Sequence, residues 1–460
     1  VAIVGMGCTV LFTLCSRDSD SLSDWLEEGE EFSGGGASIN DDTENAFGNP
    51  APNLTGMKDL FFATGNSMFR VNWVTAPAST EDLDGLGPVF NARSCSACHF
   101  KDGRAAPPMP GEDPLGLLFR LSRLDEITWE PIPDENYGGQ FNTRAILGMA
   151  EEGKVEVTYT EMPGTYPDGT PYLLRRPNYQ FTNLQYGPLH SSILFSPRIG
   201  PQILGLGLLE AIAEEDMLAI ASQQASEDLG ISGKANYVTN VLTGETQVGK
   251  FGWKSNQPTV RQQVASAFRG DIGITSSMFP EQPCAPGQED CANAINGGEP
   301  ELTDKVLDRV TLYSAAIAVP MRRDWAEPVV LQGKALFNTI GCASCHTPKF
   351  VTKSNPEFPE FEDQTIFPYT DLLLHDMGEG LADGRPDGLA DGNEWRTPPL
   401  WGIGLIDVVN DHNFLLHDGR ARGFEEAILW HGGEAEVVTN NFKSLEASER
   451  EAIIKFLESL

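Results

Sequence analysis

Two short stretches of the chain place paired cysteines directly before a histidine. They read "SCSACHFKDG" (94–103) and "GCASCHTPKF" (341–350), and both contain the pattern CxxCH. Their cysteines and histidines are Cys95, Cys98 and His99 in the first, and Cys342, Cys345 and His346 in the second. Thiol and imidazole groups at this spacing suit structural zinc, thiol redox chemistry or a covalently held haem.

Covalent haem is the chemistry that uses every residue of the pattern. The two pairs lie too far apart in the chain for a zinc ribbon, and a thioredoxin-like CxxC needs no histidine. In haem c the two cysteines add to the vinyl groups, and the following histidine ligates the iron. The sequence therefore predicts two haem c groups, with His99 and His346 as iron ligands.

The ligand on the far side of the second haem is a separate question. His431 ends the short helical pattern "GFEEAILWHGG" and shares the inward face with Ala427, which makes it a candidate. The alternative is a helix-end histidine stabilised by the helix dipole. His375 and Met377 in "LLLHDMGEG" are its rivals, whereas His417 and His412 are weaker candidates.

For the first haem the sixth position stays open between three choices. His190 in "YGPLHSS" and Met278 in "TSSMFPE" are side chains that ligate haem iron, and a position open to water is the third choice. No acid or base is identified for catalysis. Glu210 in "GLGLLEAI" is a candidate, with a solvated carboxylate at a helix end as the alternative.

Composition and charge limit the function classes. The 460 residues are 40% hydrophobic, which is typical of a globular protein of two or three domains. A net charge of −34 argues against nucleic-acid binding and favours a cationic partner, metal ions or a salty environment.

The N-terminus and two further cysteines indicate an exported protein. Residues 1–15 resemble the apolar part of a signal peptide or a lipid-anchor segment, with Cys15 or Cys8 as the lipidated residue. Periplasm or cell surface is therefore the expected location. Cys284 and Cys291 bracket "APGQED", and in an exported protein they are expected to form a local disulfide.

Periodic patterns around the two CxxCH motifs predict the elements that position them. Apolar residues at helical spacing predict helices before the second motif, at the C-terminus and in "LTDKVLDRVTLYSAAIAVP", where Pro320 ends the helix. A capping box of Ser448 and Glu451 is expected to begin the C-terminal helix. "KVEVTYTEM" and "YLLRRPNYQFTNL" predict two strands joined by a turn.

We therefore expect a mainly α fold with two cytochrome c-like haem domains. A polar tether (16–54) precedes a first domain (55–320), which contains a β-containing insertion at about 105–250. A second domain covers 321–460.

The chain resembles the exported di-haem oxidoreductases, which are distantly similar to the bacterial di-haem cytochrome c peroxidases. The resemblance covers about 55–460. The stretches that carry it are "GPVFNARSCSACHFKDGR", "YGPLHSSILFSPRIGPQILGLGLLEAI", "GISGKAN", "FGWKSNQPTVRQQVASAFRGDIGITS", "YTDLLLHDMGEGLADGRPDGLADGNEWRTPPLWGIGL" and "LHDGRARGFEEAILWHGGEAE".

The resemblance implies a division of labour between the haems. In the peroxidases a Met ligates the second haem at the position that matches His431, and a Tyr stands there in a related enzyme, so this chain departs from both. By analogy, the haem at His99 is reactive and the haem at His346 relays electrons from a small redox protein or another donor, expected to be cationic, with Trp253 or Trp430 as carrier. Calcium at the Asp-rich "ADGRPDGLADGNE" (382–394) is implied as well, against the alternative of a turn cluster.

Peroxidase-type oxidoreductase is thus the expected function. An electron-transfer cytochrome without its own substrate is the main alternative, and a binding protein with a structural or sensory haem is the third.

Overall fold

The computed structural model describes residues 19–80, 83–227 and 230–460. The predicted signal or anchor segment, with Cys8 and Cys15, lies outside the described residues. The helices are α1 (Met57–Arg70), α2 (Leu206–Glu210), α3 (Glu214–Ser226), α4 (Val260–Ala267), α5 (Glu289–Ala292), α6 (Asp304–Ala315), α7 (Pro328–Thr339), α8 (Ile406–Asn410), α9 (Phe424–Leu429), α10 (Glu436–Ser444) and α11 (Ala447–Ser459). Within these residues, no helix has the length and apolar content needed to cross a membrane.

Strands are short and spread over many small sheets. They are β1 (Ser38–Ile39), β2 (Val89–Phe90), β3 (Leu117–Leu124), β4 (Pro131–Ile132), β5 (Gln140–Phe141), β6 (Arg144–Ala145), β7 (Lys154–Thr165), β8 (Pro171–Thr182), β9 (Leu194–Ile199), β10 (Tyr237–Thr239), β11 (Thr246–Val248), β12 (Val319–Pro320), β13 (Phe350–Val351), β14 (Thr365–Ile366), β15 (Leu374–Asp376), β16 (Glu394–Arg396), β17 (Phe414–Leu415) and β18 (Ala421–Arg422). The chain is 31% helical and 18% strand, so the prediction of a mainly α fold is wrong. Strands of two or three residues have no readable alternation, which is why the sequence did not predict them.

Each CxxCH motif lies beside a closely packed pair of helices. Helix α1, which precedes the first motif, packs on α6, and helix α7, which precedes the second, packs on α11. A Cβ at Gly65 would overlap the carbonyl oxygen of Arg309, and one at Gly333 would overlap that of Ala452. Glycine is therefore required for the close approach of the helices in both pairs.

The predicted helices exist, with two differences at their ends. Helix α11 buries Ile453, Phe456 and Leu457 as expected, but its capping box is formed by Glu446 and Glu449 instead of Ser448 and Glu451. Helix α6 ends at Ala315, and the following segment forms strand β12, which pairs in parallel with β1. Main-chain pairing therefore ends this helix before Pro320 is reached.

The predicted pair of strands is confirmed as the long antiparallel hairpin β7–β8. It reaches across to residues near the C-terminus. The Tyr166 hydroxyl donates to Glu425 at 2.6 Å, and the Arg175 guanidinium donates to the carbonyl oxygens of Arg420 and Gly419. A second group of strands forms around β3, which pairs with β4, β5 and β9.

The predicted disulfide is confirmed, because the Cys284 and Cys291 sulfurs are bonded, with 5.7 Å between their Cα atoms. The disulfide closes a surface loop that leads into α5, in which Cys291 lies.

Candidate haem cavity

The two CxxCH motifs line one continuous cavity of about 410 Å³. Cys95, Cys98 and His99 lie on its wall together with Cys342, Cys345 and His346. Residues that are far apart in the sequence are thus brought to one enclosed space, which lies between the two helix pairs. His417, His431 and Trp253 also line it.

Both motifs have the same local geometry. The cysteines lie in single 3-10 turns, Cys95–Ala97 and Cys342–Ser344. The His99 amide donates to the Cys95 carbonyl, and the His346 amide donates to that of Cys342, each at 3.0 Å. This turn places both thiols and the imidazole on the cavity wall. Burial raises the pKa of Cys95, Cys98 and Cys342 to about 12.

Each motif histidine is oriented by a main-chain carbonyl. His99 Nδ1 lies 2.7 Å from the oxygen of Pro201, and His346 Nδ1 lies 3.0 Å from that of Tyr369. A carbonyl only accepts hydrogen bonds, so Nδ1 carries the proton and Nε2 keeps its lone pair. Burial lowers the pKa of both residues, to about 4 for His346. Each is therefore a neutral imidazole suited to bind a metal.

An aromatic side chain from the preceding helix contacts each of these histidines. The Phe69 ring lies 6.2 Å from the His99 ring, and the Phe337 ring lies 6.1 Å from that of His346. The helix pairs therefore fix the two imidazoles in the same way.

His431 lies at the end of α9 and faces the same part of the cavity as His346. Its Nδ1 is 2.7 Å from the carbonyl of Ala427, which again leaves Nε2 with a lone pair. Burial lowers the pKa of His431, and proximity to His431 is one of the causes that lower the pKa of His346. Two neutral imidazoles thus lie close together here.

The two rivals of His431 are placed differently. His375 is buried with Nε2 at 2.9 Å from Asp371 Oδ2 and Nδ1 at 2.7 Å from Glu434 Oε2. Burial alone would lower the His375 pKa, but Asp371 and Glu434 raise it well above the ordinary value. Neither ring nitrogen has a lone pair for iron. Met377 lines the cavity and remains a rival.

His375 also belongs to a compact group that carries metal-ligand atoms. The sulfur of Cys345 lies 3.6 Å from His375 Nδ1, and the ligand atoms of Cys345, Asp371 and His375 lie within 4.8 Å of one another. A histidine held between two carboxylates is protonated, and a protonated imidazole does not bind a metal. This group therefore fits an ion-pair network better than a metal site.

The sixth-ligand candidates for the first haem lie outside the cavity wall. His190 is exposed and its Nδ1 contacts Ser192 Oγ at 2.8 Å, whereas Met278 packs against the core around α6. The wall near His99 instead carries Asp271 and Arg120. Burial raises the pKa of Asp271, and Arg120 opposes that shift in part. Among the described residues, the wall therefore contains neither side chain that the sequence offered as a sixth ligand for the first haem.

Three aromatic side chains of the cavity wall, Trp395, His417 and Trp253, contact one another. The His417 ring stacks on that of Trp395, and Trp253 meets His417 edge to face at 6.5 Å. Burial lowers the His417 pKa to about 3, and its Nε2 is buried without a hydrogen-bond partner. Trp253 donates to the carbonyl of Ile199 at 2.9 Å. Trp430, the other predicted carrier, is not among the residues of the wall.

The remaining candidates have structural roles. Glu210 Oε2 accepts from the amide of Val260 at 2.5 Å, so it caps the start of α4, and burial raises its pKa to about 7. His412 Nε2 lies 3.0 Å from the carbonyl oxygen of Arg104. Neither lies on the cavity wall.

Sequence reasoning missed Trp395, Arg396 and Asp271, which all line the cavity. Arg396 Nη1 is buried without a partner, like His417 Nε2. Trp395 and Arg396 lie in the short strand β16, and Asp271 in a π-helical turn, Phe268–Ile272. The one signal available in the sequence was that all three residues lie in stretches that resemble the di-haem oxidoreductases.

A family model described as "Di-haem oxidoreductase, putative peroxidase" matches residues 29–460. A search of curated proteins finds no match.

Proposed function

The chain belongs to the di-haem oxidoreductase family, and from this premise we propose that it is an exported c-type protein that reduces peroxide. In this proposal, haem at His346 receives single electrons and haem at His99 is the reactive group. The observation that carries it is the cavity, in which His431 lies close to His346, whereas neither His190 nor Met278, the candidate sixth ligands for the haem at His99, lies on the wall formed by the described residues.

The residues of the cavity wall fit two covalently bound haems. Four thiols lie in two pairs, and each pair is followed by a histidine whose Nε2 is free to bind iron. Two buried polar atoms without partners, Arg396 Nη1 and His417 Nε2, belong to residues of the same wall. Arg396 is suited to bind a haem carboxylate, because guanidinium pairs well with carboxylates.

Reduction of hydrogen peroxide to two waters consumes two electrons and two protons. When bound, haem iron supplies a site for peroxide and a store for electrons. A small cationic redox protein is the proposed electron donor, because the chain carries a net charge of −34. Trp395, His417 and Trp253 form the proposed path between the haems, since their rings are in contact along the cavity.

Asp271 is the carboxyl group that the described residues contribute to the cavity wall. Its Oδ1 accepts from Gln140 Nε2 at 2.9 Å, and burial raises its pKa. A carboxyl group that keeps its proton more readily than usual can deliver it to a departing oxygen. We assign the proton-donor role to Asp271. The predicted Glu210 is not suited to that role, because its carboxylate caps α4 instead.

Export is supported by the confirmed disulfide, because such bonds persist in oxidising compartments. A periplasmic or cell-surface location, with lipid attachment at Cys8 or Cys15, completes the proposal.

The test is spectroscopy of the ferric and half-reduced protein, followed by peroxide turnover. We expect one high-spin iron that binds cyanide and one low-spin iron, together with peroxide consumption that Asp271→Asn lowers without changing the spectra. Two low-spin irons that stay six-coordinate after half-reduction would contradict the peroxidase function and favour the electron-transfer alternative.

A further inference from the structure

The Asp-rich loop 382–394 surrounds a buried positive charge. The backbone of the loop closes at Gly384 and Gly392. The Asp383 and Gly384 amides both donate to the carbonyl of Gly392. Asp387 and Ala390 exchange main-chain hydrogen bonds at the tip. The loop is thereby folded back on itself, and several of its oxygens point to one side.

Lys254 fills the space between these oxygens. Its ammonium donates to Asp383 Oδ1 and to the carbonyl oxygens of Arg385 and Asp391, each at 2.8 Å. The side chains of Lys254 and Asp383 are 0% and 1% exposed. An ammonium has three donors, so all of them are used. The Trp395 ring covers another side at 4.6 Å from the nitrogen.

The oxygens around the Lys254 ammonium resemble the ligands of a metal-cation site more than the single partner of a simple ion pair. Two of its three oxygens are main-chain carbonyls, and Asp383 Oδ2 is a further buried oxygen without a partner. Carboxylate and carbonyl oxygens are the ligands that calcium prefers. The loop thus offers a calcium-like set of oxygens, but a lysine from another part of the chain already occupies it.

We propose that Lys254 is the resident cation of this oxygen cage and makes the loop independent of calcium. The cage also positions the cavity wall, because the Lys254 ammonium and the ring of His417 both pack on Trp395. Calcium, expected from the resemblance, has no vacant position at this loop. The proposal rests on the side-chain geometry and does not depend on the proposed peroxidase function.

The test substitutes Lys254 with Met in the full chain, which keeps the length of the side chain and removes its charge. Thermal unfolding is followed by circular dichroism in EGTA and in calcium on the order of 1 mM, the range of weak extracellular sites. Lys254→Met is expected to unfold at a lower Tm in EGTA and to recover much of the loss in calcium. The wild type is expected to show no recovery of this kind, and calorimetry is expected to detect one new calcium site in the variant.

Lys250→Met is the matched control. The Lys250 ammonium also donates to two main-chain carbonyls, those of Glu210 and Ile212, but outside the loop. Weak binding of calcium to the acidic surface changes the Tm of the wild type, of Lys254→Met and of Lys250→Met by the same amount. An equal calcium shift in all three proteins would overturn the proposal, as would a calcium site at the loop of the wild type.

A further variant covers the case in which Lys254→Met does not accumulate. Lys254→Met/Asp383→Asn removes both charges together, so it is expected to fold in EGTA and to show only the calcium shift of the wild type. A larger calcium shift in this double variant would show that the cage does not depend on the carboxylate, which contradicts the proposed site.

Discussion

The imidazole of His417 lies flat on the indole of Trp395, with 3.8 Å between the ring centroids and 11° between the planes. Lys254 lies over the same indole, so Trp395 is fixed by the residues around it. Because this ring stack lines the same cavity as both CxxCH motifs, the proposed path of the electron runs through it.

Trp395→Leu is expected to slow electron transfer between the two haems. Trp395→Phe keeps an aromatic ring, so electron transfer in this variant is expected to be faster than in Trp395→Leu. The measurement is stopped-flow oxidation of the fully reduced protein by peroxide, with each haem followed by its own absorbance. Trp430→Leu serves as control, because Trp430 is buried but lies off the cavity wall. Equal rates in the wild type and Trp395→Leu would exclude this path.

Covalent attachment predicts a simple count of haem. The variants Cys95→Ala/Cys98→Ala and Cys342→Ala/Cys345→Ala are each expected to hold one covalent haem per chain, because each removes one pair of thiols. Intact mass and the pyridine haemochrome spectrum give the count. Cys284→Ser/Cys291→Ser also removes two cysteines, but these form the disulfide, so both haems are retained. Two covalent haems in either CxxCH variant would contradict c-type attachment.

His431→Ala is expected to turn the iron at His346 from low-spin to high-spin, because the variant lacks the second imidazole. His431→Met is expected to raise the reduction potential of that iron, since Met/His ligation favours the reduced state. Electron paramagnetic resonance and redox titration measure the two effects. His412→Ala, outside the cavity, is the control. An unchanged spectrum in His431→Ala would favour Met377 as the ligand.

The ion-pair network of His375 predicts a dependence of stability on pH. Its pKa is raised in the folded protein, so its contribution is complete below about pH 6.5, the ordinary value for histidine, and is lost as the pH rises through the folded value. The pKa values of Asp371 and Glu434 are lowered, so their contribution is lost in acid. His375→Gln is expected to cost roughly 3–5 kcal/mol at pH 6, because it leaves buried carboxylates without their partner.

Urea unfolding of this variant and the wild type from pH 5 to pH 9 provides the measurement. The difference between them is expected to shrink toward alkaline pH. His412→Gln, which replaces a half-buried histidine elsewhere, provides the comparison. A difference that stays constant across this range would show that His375 is not protonated.

Gly333→Ala tests the crossing of α7 and α11. The added Cβ would overlap the Ala452 carbonyl. The crowding is expected to outweigh the gain of about 1 kcal/mol in helix propensity and to lower the free energy of unfolding by about 1–3 kcal/mol. Chemical denaturation measures the change. Gly139→Ala places a methyl group where nothing lies within 4 Å, so a similar loss there would mean that crowding is not the cause.

Features that depend on near neighbours in the chain were predictable from the sequence. The hairpin β7–β8, the helices α6, α7 and α11, and the Cys284–Cys291 disulfide follow from local periodicity or short spacing. The fold class was not predictable, because strands such as β15 and β16 are held by pairing across the chain.

The same limit applies to the cavity. Both CxxCH motifs were visible as patterns, but Trp395 acquires its place from Lys254 and His417, which come from separate segments. Likewise, His375 was a rival candidate for the iron ligand until the structure placed Glu434, 59 residues later in the chain, at one of its ring nitrogens, with the nearby Asp371 at the other. The distant partner, which no local pattern reveals, completes the ion-pair network of this histidine.

The hairpin β7–β8 has a consequence for the order in which the protein matures. Arg175 in the hairpin bonds to the carbonyl of Arg420, which is 245 residues later in the chain. At a synthesis rate of about 5–20 residues per second, the hairpin emerges on the order of ten to fifty seconds before this partner exists. In the folded protein, Tyr166 and Leu174 belong to the hydrophobic core around α11. This core does not exist during that interval. The nascent chain therefore presents an unfinished apolar face until helix α11 has been made.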